Sequence, residues 1–263
     1  MRASDGIDMS LTSSLLAFAS QRTPWLSRHV LASAGYTLDV DKLGRSGRFG
    51  VWNERTAQRQ ERAWRPLVEQ ALAGHPRDDV QALLTLLEPV VEAGTTVLEV
   101  GAGGGHISEI LLARLPQIEY SGLDISPASM RVASQRYPGR RFTVGSAYEL
   151  PFADGEFDVV IDGVALLHMD QWRTALAEYA RVAAHHVILH GLTITTDHPT
   201  TRFAKYAYGQ PTTELVFADS EIREECARLG LVLEAETDGL DYDLDEYLGI
   251  PSTSPSWRLR VAR

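Results

Sequence analysis

Val97-Leu98-Glu99-Val100-Gly101-Ala102-Gly103-Gly104-Gly105 joins a short β-rich run to a cluster of glycines. Residues 107–115 then carry the spacing of a helix. A strand that turns through glycines directly into a helix is the opening of a βαβ unit. The glycines let the backbone turn sharply and let a ligand approach without meeting a Cβ. On either side of this turn the chain alternates. Residues 95–100, 119–123, 141–144, 157–161 and 186–189 read as strands, and 127–136 and 172–182 as helices. A helix over 220–229, ended by Gly230, leads to two further strands at 231–236 and 257–262. Helices between strands imply crossover connections. The expected fold is therefore α/β: a Rossmann-like, doubly wound, mostly parallel seven-stranded sheet with helices on both faces, plus an N-terminal helical cap.

The flanks carry punctuation of their own. Thr23-Pro24 starts a short helix that Gly35 stops, and a glycine- and arginine-rich loop runs from Gly44 to Gly50. Residues 54–73 read as a helix with Gly74 as its stop and Pro66 as a kink. A second helix starts at Asp78 or Asp79 and carries Val80, Leu83, Leu84 and Leu87 on one face. After His190 the periodicity lapses as far as Asp219. An acidic insert follows around Asp241, Asp243, Asp245 and Glu246, read as a solvated face. The expected division is a helical cover over 1–94 and a ligand-binding domain over 95–263, with 191–218 as a lid insertion over the substrate.

Composition narrows the function classes. The 263 residues are 44% hydrophobic and 23% charged, an ordinary globular balance with length enough for a sizeable core. A formal charge of −10 disfavours binding to phosphate backbones, so no nucleic-acid partner is expected. Cys226 is the single cysteine, which rules out an intrachain disulfide and a cysteine zinc site. His185, His186 and His190 do not make a metal site either, because adjacent strand residues face opposite ways. The Ser14 to Ser20 segment is too short for a signal core and reads as amphipathic helix. No apolar run reaches the ~20 residues of a membrane span. A cytoplasmic protein without a membrane partner is expected.

Two residues distinguish among the ligands such a turn can serve. A dinucleotide turn, G-x-G-x-x-G, would place its third glycine where His106 stands. Glu99 would repel a neighbouring pyrophosphate by several kcal/mol, about 4 at 4 Å in an effective dielectric near 20. The same carboxylate attracts an ammonium or sulfonium. A glycine turn that binds nothing remains a plainer alternative.

These residues resemble the class I S-adenosylmethionine-dependent methyltransferases over about 95–189. Glu99 to Gly105 resembles the family's E/D-x-G-x-G-x-G, and Gly145-Ser146-Ala147-Tyr148-Glu149-Leu150-Pro151-Phe152 its G-D-A-x-x-L-P-F. Asp124, in Gly-Leu-Asp-Ile-Ser-Pro, matches the acidic end of the second strand, and Phe157 to Gly163 a fourth motif. The resemblance implies S-adenosyl-L-methionine as cofactor. It places Glu99 at the methionine amino group, with Gly101, Ala102 and Gly103 against the methionyl and ribose parts. Asp124 would hold the ribose hydroxyls, both of which one carboxylate can accept from. Ile125 and Met130 would flank the adenine, and Ser146 and Ala147 would meet its edge. Ser146 stands where the family commonly has aspartate, which weakens that contact. Asp162 and Gly163 would face the methionine end.

Methyl transfer from a sulfonium needs alignment above all, and a base only for some acceptors. His168 and His190 are the candidate bases, because neutral histidine near pH 7 suits that work; cofactor contact or plain packing are their other roles. Trp25, Tyr36, Phe49, Trp52, Tyr206 and Tyr208 are candidate walls for a small-molecule methyl acceptor, and Arg45 and Arg48 for an anionic one. The expected function is transfer of a methyl group to an O, N or C atom of a small molecule. A non-catalytic nucleotide-binding regulator and an NAD-dependent oxidoreductase are the alternatives.

Overall fold

The computed structural model describes residues 35–40, 52–207, 210–240 and 242–262. The expected helix after Thr23, the segment 14–20, the loop 44–50, Trp25, Arg45, Arg48, Phe49, Tyr208 and Asp241 lie outside them.

Among the described residues, strands in chain order are β1 (Tyr36–Thr37), β2 (Thr96–Val100), β3 (Glu119–Asp124), β4 (Arg141–Val144), β5 (Phe157–Asp162) and β6 (Ala183–Leu189). They continue as β7 (Ile194–Thr195), β8 (Thr201–Ala207), β9 (Gln210–Ala218), β10 (Leu231–Asp238) and β11 (Pro255–Val261). Helices are α1 (Glu54–Leu72), α2 (Asp78–Leu87), α3 (His106–Arg114), α4 (Pro127–Arg136), α5 (Trp172–Val182), α6 (Asp219–Arg228) and α7 (Asp245–Leu248). Asn53 caps α1 by accepting from the N–H groups of Arg55 and Thr56, at 3.1 and 3.3 Å. The helix runs through Pro66 as one element.

The main sheet has seven strands in the order β10-β11-β6-β5-β2-β3-β4. Strands β6, β5, β2, β3 and β4 are parallel, and β11 and β10 join antiparallel. This is the expected mostly parallel, doubly wound sheet. The alternation of β2 explains its two-sided core. Val97 packs with Val159, Ile161 and Ile188 against α1, α2 and α3, while Leu98 and Val100 pack with Val160, Val187 and Leu189 against α5 and α6. Strand order reverses beside β2, which has β3 on one side and β5 on the other. Ligands of open α/β sheets bind in the crevice at such a point.

The stretch read from the sequence as irregular carries three strands, β7, β8 and β9. A second sheet has the order β1-β8-β9-β7, with β8 and β9 forming an antiparallel hairpin. Its pattern is hard to see because β9 is covered on both faces: Glu214, Leu215, Val216 and Phe217 are all buried. A strand buried on both sides loses its alternation of two. In the acidic insert Asp243, Asp245 and Glu246 are exposed, as expected, while apolar residues between them turn inward. Leu244 is fully buried, in a cluster with Phe203, Val216 and Ile250 that Tyr36, Tyr242 and Tyr247 flank.

Candidate active site

A cavity of about 380 Å³ opens at the carboxyl ends of β2, β3 and β5 and runs under the second sheet. Its two halves are built differently.

The first half is backbone and carboxylate. Gly101 has φ +82°, and a Cβ there would stand 2.3 Å from the Cβ of Ala165, so only glycine fits. Its N–H and that of Ala102 donate to the Leu123 carbonyl at 2.8 and 3.0 Å, binding the turn to β3. A Cβ on Gly163 would meet Glu99 Oε1 at 2.8 Å. Glu99, next to last in β2, is almost fully buried, and its one hydrogen-bond donor among the described residues is the Tyr120 hydroxyl. Burial pushes the Glu99 carboxyl up to about 7, against the Tyr120 hydrogen bond, and the charges of Asp124 and Asp162 add to the rise. Asp124 ends β3. One of its oxygens accepts from Gly103 N–H at 2.9 Å and the other from Ser126 N–H at 2.8 Å. Burial also raises the Asp124 carboxyl. No lysine or arginine pairs with either carboxylate among the described residues.

Of the residues expected at the cofactor, Glu99, Gly101, Ala102, Gly103, Asp124, Ile125, Ser146, Ala147 and Gly163 line this cavity. Met130 and Asp162 are not among its walls. Met130 is buried beside Ala102, Ala133 and Phe142. Asp162 is turned inward. It accepts from Leu166 N–H at 2.9 Å, Ala165 N–H at 3.2 Å and the Tyr179 hydroxyl at 3.0 Å, while burial raises its carboxyl to about 7. It fixes the loop that follows β5 rather than presenting a charge to the cavity. Val164 in that loop has φ +58°, a left-handed conformation that costs a β-branched residue of order 1–3 kcal/mol.

The second half is made of side chains from distant parts of the chain. His168, on the 3-10 turn Leu166–His168, holds the Thr213 carbonyl at 3.0 Å through Nδ1. A carbonyl only accepts, so Nδ1 carries the proton. Burial lowers the His168 pKa, opposed by Glu214 and the Thr213 bond, and the neutral ring keeps a lone pair on Nε2. Nε2 lies 4.0 Å from Glu214 Oε1, and the other Glu214 oxygen pairs with Lys205 Nζ at 2.8 Å. Lys205 also donates to the Tyr242 hydroxyl at 3.2 Å, with its ammonium 4.9 Å from that ring's centre. Trp52 meets His168 edge-on at 5.1 Å, and its carbonyl accepts from Ser126 Oγ at 2.8 Å.

His190 lines the cavity too, but its Nδ1 is engaged with Ser256 Oγ at 3.1 Å, and burial brings its pKa down to about 4. Tyr36 stacks on Tyr247 at 4.4 Å in the second sheet's core. Lys205, Glu214 and Tyr242 were missed by sequence reasoning. Tyr242 sits in the acidic insert, and Lys205 and Glu214 lie in the stretch without visible period. Their signal was a lone cation and a lone anion that meet only when β8 pairs with β9.

The described residues hold no group of three or more His, Cys, Asp or Glu placed for a metal ion, and no helix long and apolar enough to cross a membrane.

Comparison with known proteins agrees with this geometry. Residues 98–189 match a family model described as a methyltransferase domain. The chain is 33% identical over 111 residues to a malonyl-[acyl-carrier protein] O-methyltransferase of Halorhodospira halophila, covering 41% of this chain and 38% of that one. It is 38% identical over 91 residues to a phthiotriol/phenolphthiotriol dimycocerosates methyltransferase of Mycobacterium tuberculosis, covering 34% of each. The match thus spans little more than a third of these relatives' own lengths, 38% and 34%. Among solved structures, the magnesium protoporphyrin IX methyltransferase of Synechocystis PCC 6803 is similar in fold, with a TM-score of 0.56 at 15% identity over 81% of this chain and 97% of that one. Residues 98–189, set in this seven-stranded sheet, thus match a methyltransferase domain, and the fold around them is that of solved methyltransferase structures.

Proposed function

We propose that the chain binds S-adenosyl-L-methionine at the glycine turn and moves its methyl group to a small-molecule acceptor held under the second sheet. The observation that carries this is the pair of carboxylates, Glu99 and Asp124, near the ends of neighbouring strands on one cavity, which no lysine or arginine pairs with among the described residues. Carboxylates that burial holds above their usual range are stabilised by a cation or by hydroxyl donors. A pyrophosphate offers neither. The ammonium, sulfonium and ribose of S-adenosylmethionine offer both.

In this reading Glu99 takes the amino group, and the second lone pairs of Asp124 take the ribose hydroxyls while its first ones hold Gly103 and Ser126. Ile125, Ser146 and Ala147 receive the adenine, and the glycines at 101 and 163 let the loop after β5 and the Glu99 carboxylate close against the turn beside the methionyl chain. Once bound, the cofactor supplies an electrophilic methyl on a good leaving group. The protein's part is to align the acceptor and exclude water. His168 is placed to take a proton, with Thr213 fixing its tautomer and Glu214 near enough to stabilise the imidazolium. His190, tied to Ser256, positions the end of β6. Residues 1–94 form the helical cover in this reading, and 191–218 close the acceptor side.

Titration calorimetry with S-adenosylmethionine and with NAD tests the cofactor, and release of S-adenosylhomocysteine tests catalysis. Binding of the first with turnover is expected. Binding of NAD instead points to an oxidoreductase, and tight binding without turnover on any acceptor points to a regulator.

A further inference from the structure

The acceptor half of the cavity presents two hydrogen-bond acceptors side by side. His168 carries its proton on Nδ1, committed to the Thr213 carbonyl, so Nε2 offers only a lone pair. Glu214 Oε1 stands 4.0 Å from it, too far for a bond between them, while the opposite oxygen is held by Lys205. Both residues line the cavity. One atom at ~2.9 Å from each fits the gap. A hydroxyl has one hydrogen and leaves one of the two acceptors unserved, whereas a primary amine has two hydrogens and serves both. Its lone pair then stays free.

We infer that the acceptor is a primary amine on an apolar or aromatic body, seated with its two N–H groups on His168 Nε2 and Glu214 Oε1. This rests on the methyl-transfer reading above and narrows its substrate to a nitrogen nucleophile. Trp52, edge-on to His168, and Tyr242, beside Lys205, supply apolar wall near the pair. Lys205 balances the charge of Glu214, so the pocket favours the neutral amine over the ammonium. In the reaction the nitrogen lone pair forms the new N–C bond while the C–S bond breaks with its electrons left on sulfur. The surplus proton leaves the nitrogen along its hydrogen bond to His168 Nε2, and passes from there to water.

Matched probes test this without relying on turnover. Benzylamine is compared with benzyl alcohol, phenethylamine with 2-phenylethanol, and aniline with phenol. Each affinity is measured by calorimetry on the full chain saturated with S-adenosylhomocysteine. The amine of each pair should bind about tenfold tighter, the worth of one further hydrogen bond in a buried site. In the double variant Lys205→Met/Glu214→Leu, which removes both charges together and leaves no lone buried ion, the preference should shrink to about twofold or less, with affinity for S-adenosylhomocysteine unchanged as the control on folding. Equal or tighter binding of the alcohols, a set in which no amine binds, or a preference that survives in the double variant each overturns the inference. Failure of S-adenosylhomocysteine to bind is a different result. It removes the methyl-transfer reading itself.

Discussion

The two halves of one cavity are made by opposite means. The proposed cofactor half is a continuous piece of backbone, Gly101 to Gly103, framed by Glu99 near the end of β2 and Asp124 at the end of β3. Its partners lie within a few residues or on the adjoining strand, and main-chain hydrogen bonds hold its shape. The acceptor half draws Trp52, His168, Lys205, Glu214 and Tyr242 from five separate places in the chain. Its shape is held by side-chain pairs that exist only once β8 and β9 pair and the insert folds over them. The first half is therefore set by local backbone geometry, while the second depends on contacts between elements far apart in the chain.

The contrast can be broken most severely at the buried ion pair. Lys205→Met leaves Glu214 buried without its partner and should cost about 3–5 kcal/mol in chemical denaturation, while the Lys205→Met/Glu214→Leu double costs much less. Equal losses in the two variants would show that the pair does not organise the acceptor half. Next in size, Asp124→Ala removes the anchor of Gly103 and Ser126 together with the proposed ribose contact. Affinity for S-adenosylmethionine should fall by about 100-fold, from two or more charged hydrogen bonds lost; an unchanged value in calorimetry contradicts the site. Smaller still is a pH effect. Glu99 must ionise to receive a cation, and its carboxyl sits at about 7 in the free protein. Affinity should therefore rise about tenfold from pH 6 to pH 8, and Glu99→Gln should flatten the curve. The sign for folding is the reverse. Because the folded value lies above the ordinary 4.5, the cofactor-free protein loses the Glu99 contribution as pH climbs from 4.5 towards 7. The least effect belongs to Ser146→Asp, which restores the longer acceptor the resemblance leads one to expect. A gain of a few-fold in cofactor affinity is expected from one improved hydrogen bond, and no gain would place the adenine edge elsewhere.

Legibility follows the same division. The strands and helices from 95 to 189 were readable because short β-rich runs take turns with runs of helical spacing, and glycine or proline punctuates the joins. Glu99 and Asp124 were readable because their place at strand ends follows from local sequence. Asp162 illustrates the limit even there. Its position after β5 is plain, yet the side chain turns to Tyr179 and the loop amides, a choice made by packing. Met130 likewise went to fill the space between α4 and Phe142.

From local pattern alone came the sheet, the turn and the family of ligand, since a strand end, a glycine with positive φ and a neighbouring acid are all encoded within a few residues of one another. What waited for the folded chain was the acceptor side. The partnership of Lys205 with Glu214 spans a hairpin, that of His168 with Thr213 spans 45 positions, and that of Lys205 with Tyr242 spans 37. Such contacts leave no periodic trace, because they are set by how whole elements pack and which charges are left inside together.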